Sequence, residues 1–130
     1  IDQKNSVYSR KAAIERRIEI QSVTVQDEKV LPIKVRHMVH NFGMVNTSEL
    51  LNHTFTIENQ GTDTLQIKEV IDECACTISI LENKTLLPGK SVALNTRFNS
   101  NDINGFSVNR ILIVFENGFT KVLTTTAEVK

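Results

Sequence analysis

Only two cysteines, Cys74 and Cys76, occur in the 130 residues. They are too few for a disulfide scaffold, and one pair leaves the redox compartment open. Net charge is also missing: 15 basic side chains balance 15 acidic ones, so no global field draws the chain to nucleic acid or anionic lipid. No apolar run approaches the roughly 20 residues of a bilayer-spanning helix. There is no low-complexity segment, internal repeat or Gly-x-Ser-x-Gly nucleophile elbow. What is present is globular in balance, 40% hydrophobic and 23% charged, in a length that suits one domain.

The dominant signal from Arg36 onward has period two, the alternation that puts successive side chains on opposite faces of a strand. Thr54-Phe55-Thr56-Ile57-Glu58, Thr64-Leu65-Gln66-Ile67-Lys68 and Ser91 to Phe98 each carry apolar residues on one face. Ile111-Leu112-Ile113-Val114-Phe115 is apolar on both, which suits a central strand. Turn chemistry separates these runs at Asn59-Gln60-Gly61, Pro88-Gly89, Asn99 to Gly105, and Asn117-Gly118. The last predicts a two-residue type I′ hairpin. These features predict an antiparallel, immunoglobulin-like β-sandwich of about seven strands over residues 36–130. Its expected core is Phe42, Phe55, Ile57, Leu65, Ile67, Leu94, Phe98, Ile113 and Leu123. No helical stretch of βαβ spacing follows Arg36, which argues against a Rossmann-type nucleotide site.

Residues 1–35 read as an N-terminal extension. A short helix or irregular lead runs to about Arg16, with Val7, Ile14 and Ile18 on one stripe, and edge strands follow. Pro32 confines its strand to an edge or a bulge. Residues 1–36 hold eight basic and five acidic side chains. The pairs Arg10-Lys11 and Arg16-Arg17 suit a solvated tether better than head-group contact. The chain starts at Ile1, and a membrane tether through whatever precedes it is one expectation.

Several short motifs stand in order: His40-Asn41-Phe42-Gly43, Phe55 with Asn59 and Gly61, Leu65 with Ile67, Cys74-Ala75-Cys76-Thr77, Pro88-Gly89 and Phe98. In order and spacing the stretch from His40 to Asn117 resembles the bacterial domain-of-unknown-function family numbered fifteen-seventy-three. The resemblance implies a sandwich similar to the ASH and major-sperm-protein domains, found commonly on exported proteins or lipoproteins, and it implies no reaction. On that basis His40, Phe42, Gly43, Asn59, Gly61, Thr77, Pro88 and Gly89 are expected to be structural. The family's usual Cys-Gly-Cys-Thr has Ala75 here, which predicts a locally more extended backbone if the glycine serves a turn.

Cys74 and Cys76 are the only candidate chemistry. Their neighbours Asp72 and Glu73 would raise a thiol pKa, which favours packing over redox work. In an extended strand the two share a face with Cα atoms about 6.4–6.8 Å apart, the upper limit for a disulfide. Free thiols are therefore expected unless a bulge or turn at Ala75 shortens the span. A soft-metal site would have to borrow His37, His40 or His53, with no supporting spacing. The sequence calls for no metal, no other cofactor and no catalytic residue. The leading reading is a non-enzymatic interaction or structural module, with a protein as partner and no nucleic acid, and the resemblance implies that it belongs to the bacterial cell envelope, exported, periplasmic or envelope-anchored. The alternative is a thiol-redox or soft-metal domain using Cys74 and Cys76. Oligomeric state is not specified by any motif.

Overall fold

Nine strands cross the computed structural model, which describes residues 31–130, and no helix occurs among them. The helix or irregular lead expected up to Arg16 and the strands expected between Ile18 and Val30 lie outside the described residues. The strands are β1 (Ile33–Val35), β2 (Val39–Val45), β3 (Leu50–Asn59), β4 (Leu65–Asp72), β5 (Thr77–Leu81), β6 (Thr85–Leu86), β7 (Ser91–Asn99), β8 (Gly105–Phe115) and β9 (Thr120–Val129). They form a five-stranded sheet of order β2-β9-β8-β4-β6 and a four-stranded sheet of order β1-β3-β7-β5. Ile33–Lys130 is a compact unit, so β1, placed by its sequence in the extension, belongs to the sandwich. It begins directly after Pro32 and lies at a sheet edge, where a missing N–H costs no ladder bond.

The alternation works as the period-two pattern requires. Phe55, Ile57, Leu94, Phe98, Ile111, Ile113, Phe115 and Leu123 are all at most 2% exposed, and each such burial contributes roughly 1.5–3 kcal/mol relative to exposure. Ile67, also in the expected core, is buried, whereas Phe42 and Leu65 are only half-buried. Both sit on strands next to a sheet edge or at one, where the opposing layer covers them only in part. Leu86 is fully buried from the two-residue strand β6.

Two further expectations are corrected. About seven strands become nine because β1 and β6 are short edge strands that carry little periodic signal. The sandwich is also not wholly antiparallel: β2 pairs with β9 in parallel, Val39 opposite Thr124 and Val45 opposite Val129. Residues 36–38 carry the chain from the four-stranded sheet to the other one, and β2 then runs alongside the last strand in the same direction. A register shift interrupts this pair between Thr126 and Glu128. Opposite it stands Gly43 at φ +79°, its N–H donating to Asn41 Oδ1 at 2.9 Å. His40 to Gly43 is therefore a bulged strand.

β8 and β9 do form the expected hairpin, but with a different turn. Gly118 N donates to Phe115 O at 2.9 Å and Phe115 N to Phe119 O at 2.8 Å. Only Gly118, at φ +95°, has positive φ here, whereas a type I′ turn needs two such residues. The loop is thus the three-residue kind, a type I turn followed by a glycine bulge. Asn117 contributes through its side chain instead, Oδ1 accepting from Phe119 N at 3.1 Å. A Cβ at 118 would meet nothing within 4 Å, so Gly118→Val should cost about 1 kcal/mol or more through backbone conformation alone. Gly118→Asn should cost less. Urea midpoints for the two variants check this, and a midpoint for the valine variant equal to that of the parent would count against the turn.

Candidate functional site

The chain leaves β4 in one sheet and enters β5 in the other through Glu73-Cys74-Ala75-Cys76. This connection is a turn, closed by Thr77 N donating to Cys74 O at 3.0 Å. Ala75 does not adopt positive φ, so alanine fits where the family has glycine, and the more extended backbone is not found. The turn brings the two Cα atoms to 5.0 Å and joins Cys74 to Cys76 in a disulfide. The expectation of free thiols fails for that reason: it assumed a strand, and the crossing between sheets supplies a turn. The bond closes a loop of only three residues, for which chain entropy gives roughly 1.6 kcal/mol against roughly 3 for fifteen residues.

Both cysteines are half-buried and the surroundings of their sulfurs differ. Cys74 Sγ lies 3.1 Å from the N–H of Cys76, which donates to it. Cys76 packs against the core cluster of Val45, Phe98, Ala127 and Val129. Its Sγ is 3.4 Å from Asn109 Oδ1 and 3.6 Å from the Thr77 hydroxyl. Asn109 is buried on β8, opposite Thr125 on β9. Its Oδ1 accepts from Ser107 Oγ at 3.1 Å, while its Nδ2 and the Thr125 hydroxyl have no hydrogen-bond partner among the described residues. Ser107 and Asn109 share the inward parity of Ile111 and Ile113 in Gly105 to Phe115. Two polar residues at core positions were the signal in the sequence that could have marked them.

Both acidic flanks of the turn have partners. Glu73 forms a two-pronged pair with Arg110, Nε to Oε1 at 2.7 Å and Nη2 to Oε2 at 3.1 Å. Asp72 accepts from Ser79 N at 2.8 Å and from Ser79 Oγ at 2.7 Å. Both carboxylates are thus engaged by donors, and their effect on a neighbouring thiol is reduced.

A second cluster joins the two sheets. The His40 and His53 rings, on β2 and β3, stack with centroids 3.7 Å apart. Phe42 meets His40 edge-on at 4.7 Å, Phe55 meets His53 edge-on at 4.6 Å, and Phe42 stacks on Phe98 at 5.9 Å. Beside this ladder is a groove of ≈ 570 Å³ whose lining includes Lys34, Arg36, His37, His53 and Glu58. Burial, then the charges of His40 and His37, hold the His53 pKa below its usual 6.5. A histidine whose folded pKa is depressed binds its proton more readily in the unfolded chain. Its contribution to stability is therefore present above pH 6.5 and lost as pH falls toward the lowered value. The urea midpoint should accordingly drop between pH 8 and pH 5, and His53→Phe should make that drop smaller. An identical pH profile for the variant would refute the assignment.

The remaining motif residues hold each other. Asn59, fully buried, donates through Nδ2 to Asp63 O at 2.8 Å and Leu86 O at 2.9 Å, and its Oδ1 accepts from Gly61 N at 2.9 Å. Its carbonyl accepts from Gly89 N at 2.8 Å, in the turn that Pro88 and Gly89 make between β6 and β7. Among the described residues no group of three or more His, Cys, Asp or Glu side chains is placed to hold a metal ion.

The model of the family described as protein of unknown function, DUF1573, matches residues 33–129. The chain belongs to this family. No curated protein matches it in sequence. Among solved structures, a protein of unknown function from Porphyromonas gingivalis W83 superposes with a TM-score of 0.64 at 14% identity, over 74% of this chain and 46% of that one. The ASH/PapD-like domain 7 of human CEP192 gives 0.61 at 10% identity, over 77% and 86%. The secreted serine protease VesC from Vibrio cholerae gives 0.61 at 15% identity, over 80% of this chain and 24% of the protease. The DUF1573 chain thus spans about a quarter of VesC and under half of the Porphyromonas protein. At these identities the likeness shows the fold, an immunoglobulin-like sandwich of the ASH/PapD-like kind.

Proposed function

We propose that this DUF1573 domain is a non-enzymatic protein-interaction module of the bacterial cell envelope, and that it binds through the outer face of its five-stranded sheet. The observation that carries the reading is the apolar character of that face. On β8 the outward residues are Phe106, Val108, Arg110, Leu112 and Val114, of which Phe106 is 71% exposed and Val108 56%. The register places Met44 and Glu128 in the row of Phe106, Asn41 and Thr126 in that of Val108, and Val122 and Ile71 in that of Leu112. Met44, Val39, Val122 and Ile71 are exposed as well. An antiparallel sheet wetted on one side ordinarily turns polar residues outward, and contiguous exposed apolar surface marks a contact site.

Arg110, tied to Glu73 in the middle of the face, adds a polar contact amid the apolar ones, the mixture that interfaces use. The envelope assignment is supported by the family resemblance and by the disulfide, which persists in oxidising compartments. A photo-crosslinking side chain in place of Phe106, introduced in the native cell, should capture one defined protein. The same group at Thr56, exposed on the other sheet, should capture none. Equal capture at both positions, or none at either, would overturn the proposal.

A further inference from the structure

We propose that the Cys74–Cys76 disulfide is a thiol–disulfide exchange centre that accepts electrons from a protein dithiol, with Cys74 as the sulfur the partner engages. This rests on the protein partner proposed above and departs from a purely non-enzymatic role, because it assigns the domain a redox reaction with that partner. Three independent features of the turn carry it. The first is the polarity of the pair. Cys76 is packed against the core, whereas Cys74 is not part of that cluster and receives the N–H of Cys76 at 3.1 Å. A donor aimed at sulfur favours the thiolate over the thiol, and the thiolate is the reactive form.

The second is the buried amide beside Cys76. A bonded sulfur has no proton to give, so Asn109 Oδ1 at 3.4 Å gains nothing from it in the disulfide state. Once Cys76 is reduced, its S–H can donate to that oxygen. With the amide turned over, the Nδ2 that lacks a partner among the described residues can donate to a thiolate. Asn109, 4% exposed, thus accommodates the released Cys76 in either protonation state. The third feature is the engagement of both neighbouring carboxylates, Glu73 by Arg110 and Asp72 by Ser79. A three-residue loop, by contrast, gives the fold little bracing.

The reaction balances as a two-electron exchange. A partner thiolate attacks Cys74 Sγ, the Cys74–Cys76 bond breaks, and its electron pair goes to Cys76 Sγ, which takes up a proton. The partner's second thiol, losing its proton, attacks the partner sulfur of the mixed disulfide. The electron pair of that bond returns to Cys74. The partner's dithiol is oxidised to a disulfide and the domain's disulfide is reduced to a dithiol; a second dithiol–disulfide couple of opposite poise resets the pair by the reverse steps.

Dithiothreitol serves as the probe for the partner dithiol. In the folded protein without denaturant, intact mass after alkylation should gain two labels within minutes of millimolar dithiothreitol, with the far-UV CD spectrum retained. A disulfide that stays closed until the chain is denatured would overturn the proposal. The single-thiol variants test the polarity: at neutral pH the free Cys74 of Cys76→Ser should react with iodoacetamide about tenfold faster than the free Cys76 of Cys74→Ser. Equal rates or the reverse order would overturn it. In Cys76→Ser the pH midpoint of alkylation should fall below the roughly 8.5 of a free thiol, and adding Arg110→Met should move it upward. A midpoint at or above the free value, or one indifferent to Arg110, would refute the role given to the Arg110–Glu73 pair.

Discussion

Phe98→Ala is expected to remove roughly 3–5 kcal/mol of stability, the usual cost of an aromatic-to-alanine change in a closed core. Phe98 is fully buried on β7. It packs in the cluster with Val45, Ala127 and Val129, and Phe42 stacks on it from β2. It therefore touches strands of both sheets, and the void left by its ring could shrink only if the two layers approached. A domain of this size has about 5–15 kcal/mol in all, so the variant should be largely unfolded under mild denaturant that leaves the parent intact. The chain has no tryptophan, so far-UV CD against urea is the suitable measurement. A loss under about 1 kcal/mol would mean that Phe98 does not bridge the layers.

The second large effect is expected at Asn59, where alanine should cost roughly 3 kcal/mol or more. Removing its amide leaves the buried Leu86 O and the part-buried Gly61 N and Asp63 O without their partner; a buried group left unpaired costs about 1–3 kcal/mol, and the lost side-chain volume adds to it. Asn109 provides the internal comparison. It is also buried, yet its Nδ2 already lacks a partner among the described residues, so Asn109→Ala should cost distinctly less. Urea midpoints of the two variants in parallel decide the point. Equal losses would show that the Asn59 hydrogen bonds add nothing beyond side-chain volume.

These two residues also show how the fold was encoded. Phe98 was legible because it ends an alternating run, and alternation is a local property that any half-buried strand displays. The role of Asn59 could be seen only as a turn signal, since the residues its amide binds include Leu86, far along the chain. Strand β6 was hidden because two residues have no period, and the parallel partnership of β2 and β9 because pairing is decided between distant segments. At the candidate site the cysteines were evident as residue types. Their geometry depended on whether the chain runs straight or turns at Ala75, which the crossing between sheets decides. Asn109 was within reach, as a polar residue at a core position of β8, but its meaning emerges only beside Cys76.

The parallel pairing of β2 with β9 has a mechanical consequence. The pair is sealed at one end by Thr124 N donating to Met38 O and at the other by Lys130 N donating to Val45 O. When the two ends of the domain are drawn apart, β1 must first part from β3, and tension then enters β2 at its start and β9 at its finish. Parallel neighbours loaded in this way slide past each other in shear, so their cross-links share the load and must give together instead of parting one after another as in a zipper. The domain should therefore resist stretching along its chain more strongly than prying at right angles to it.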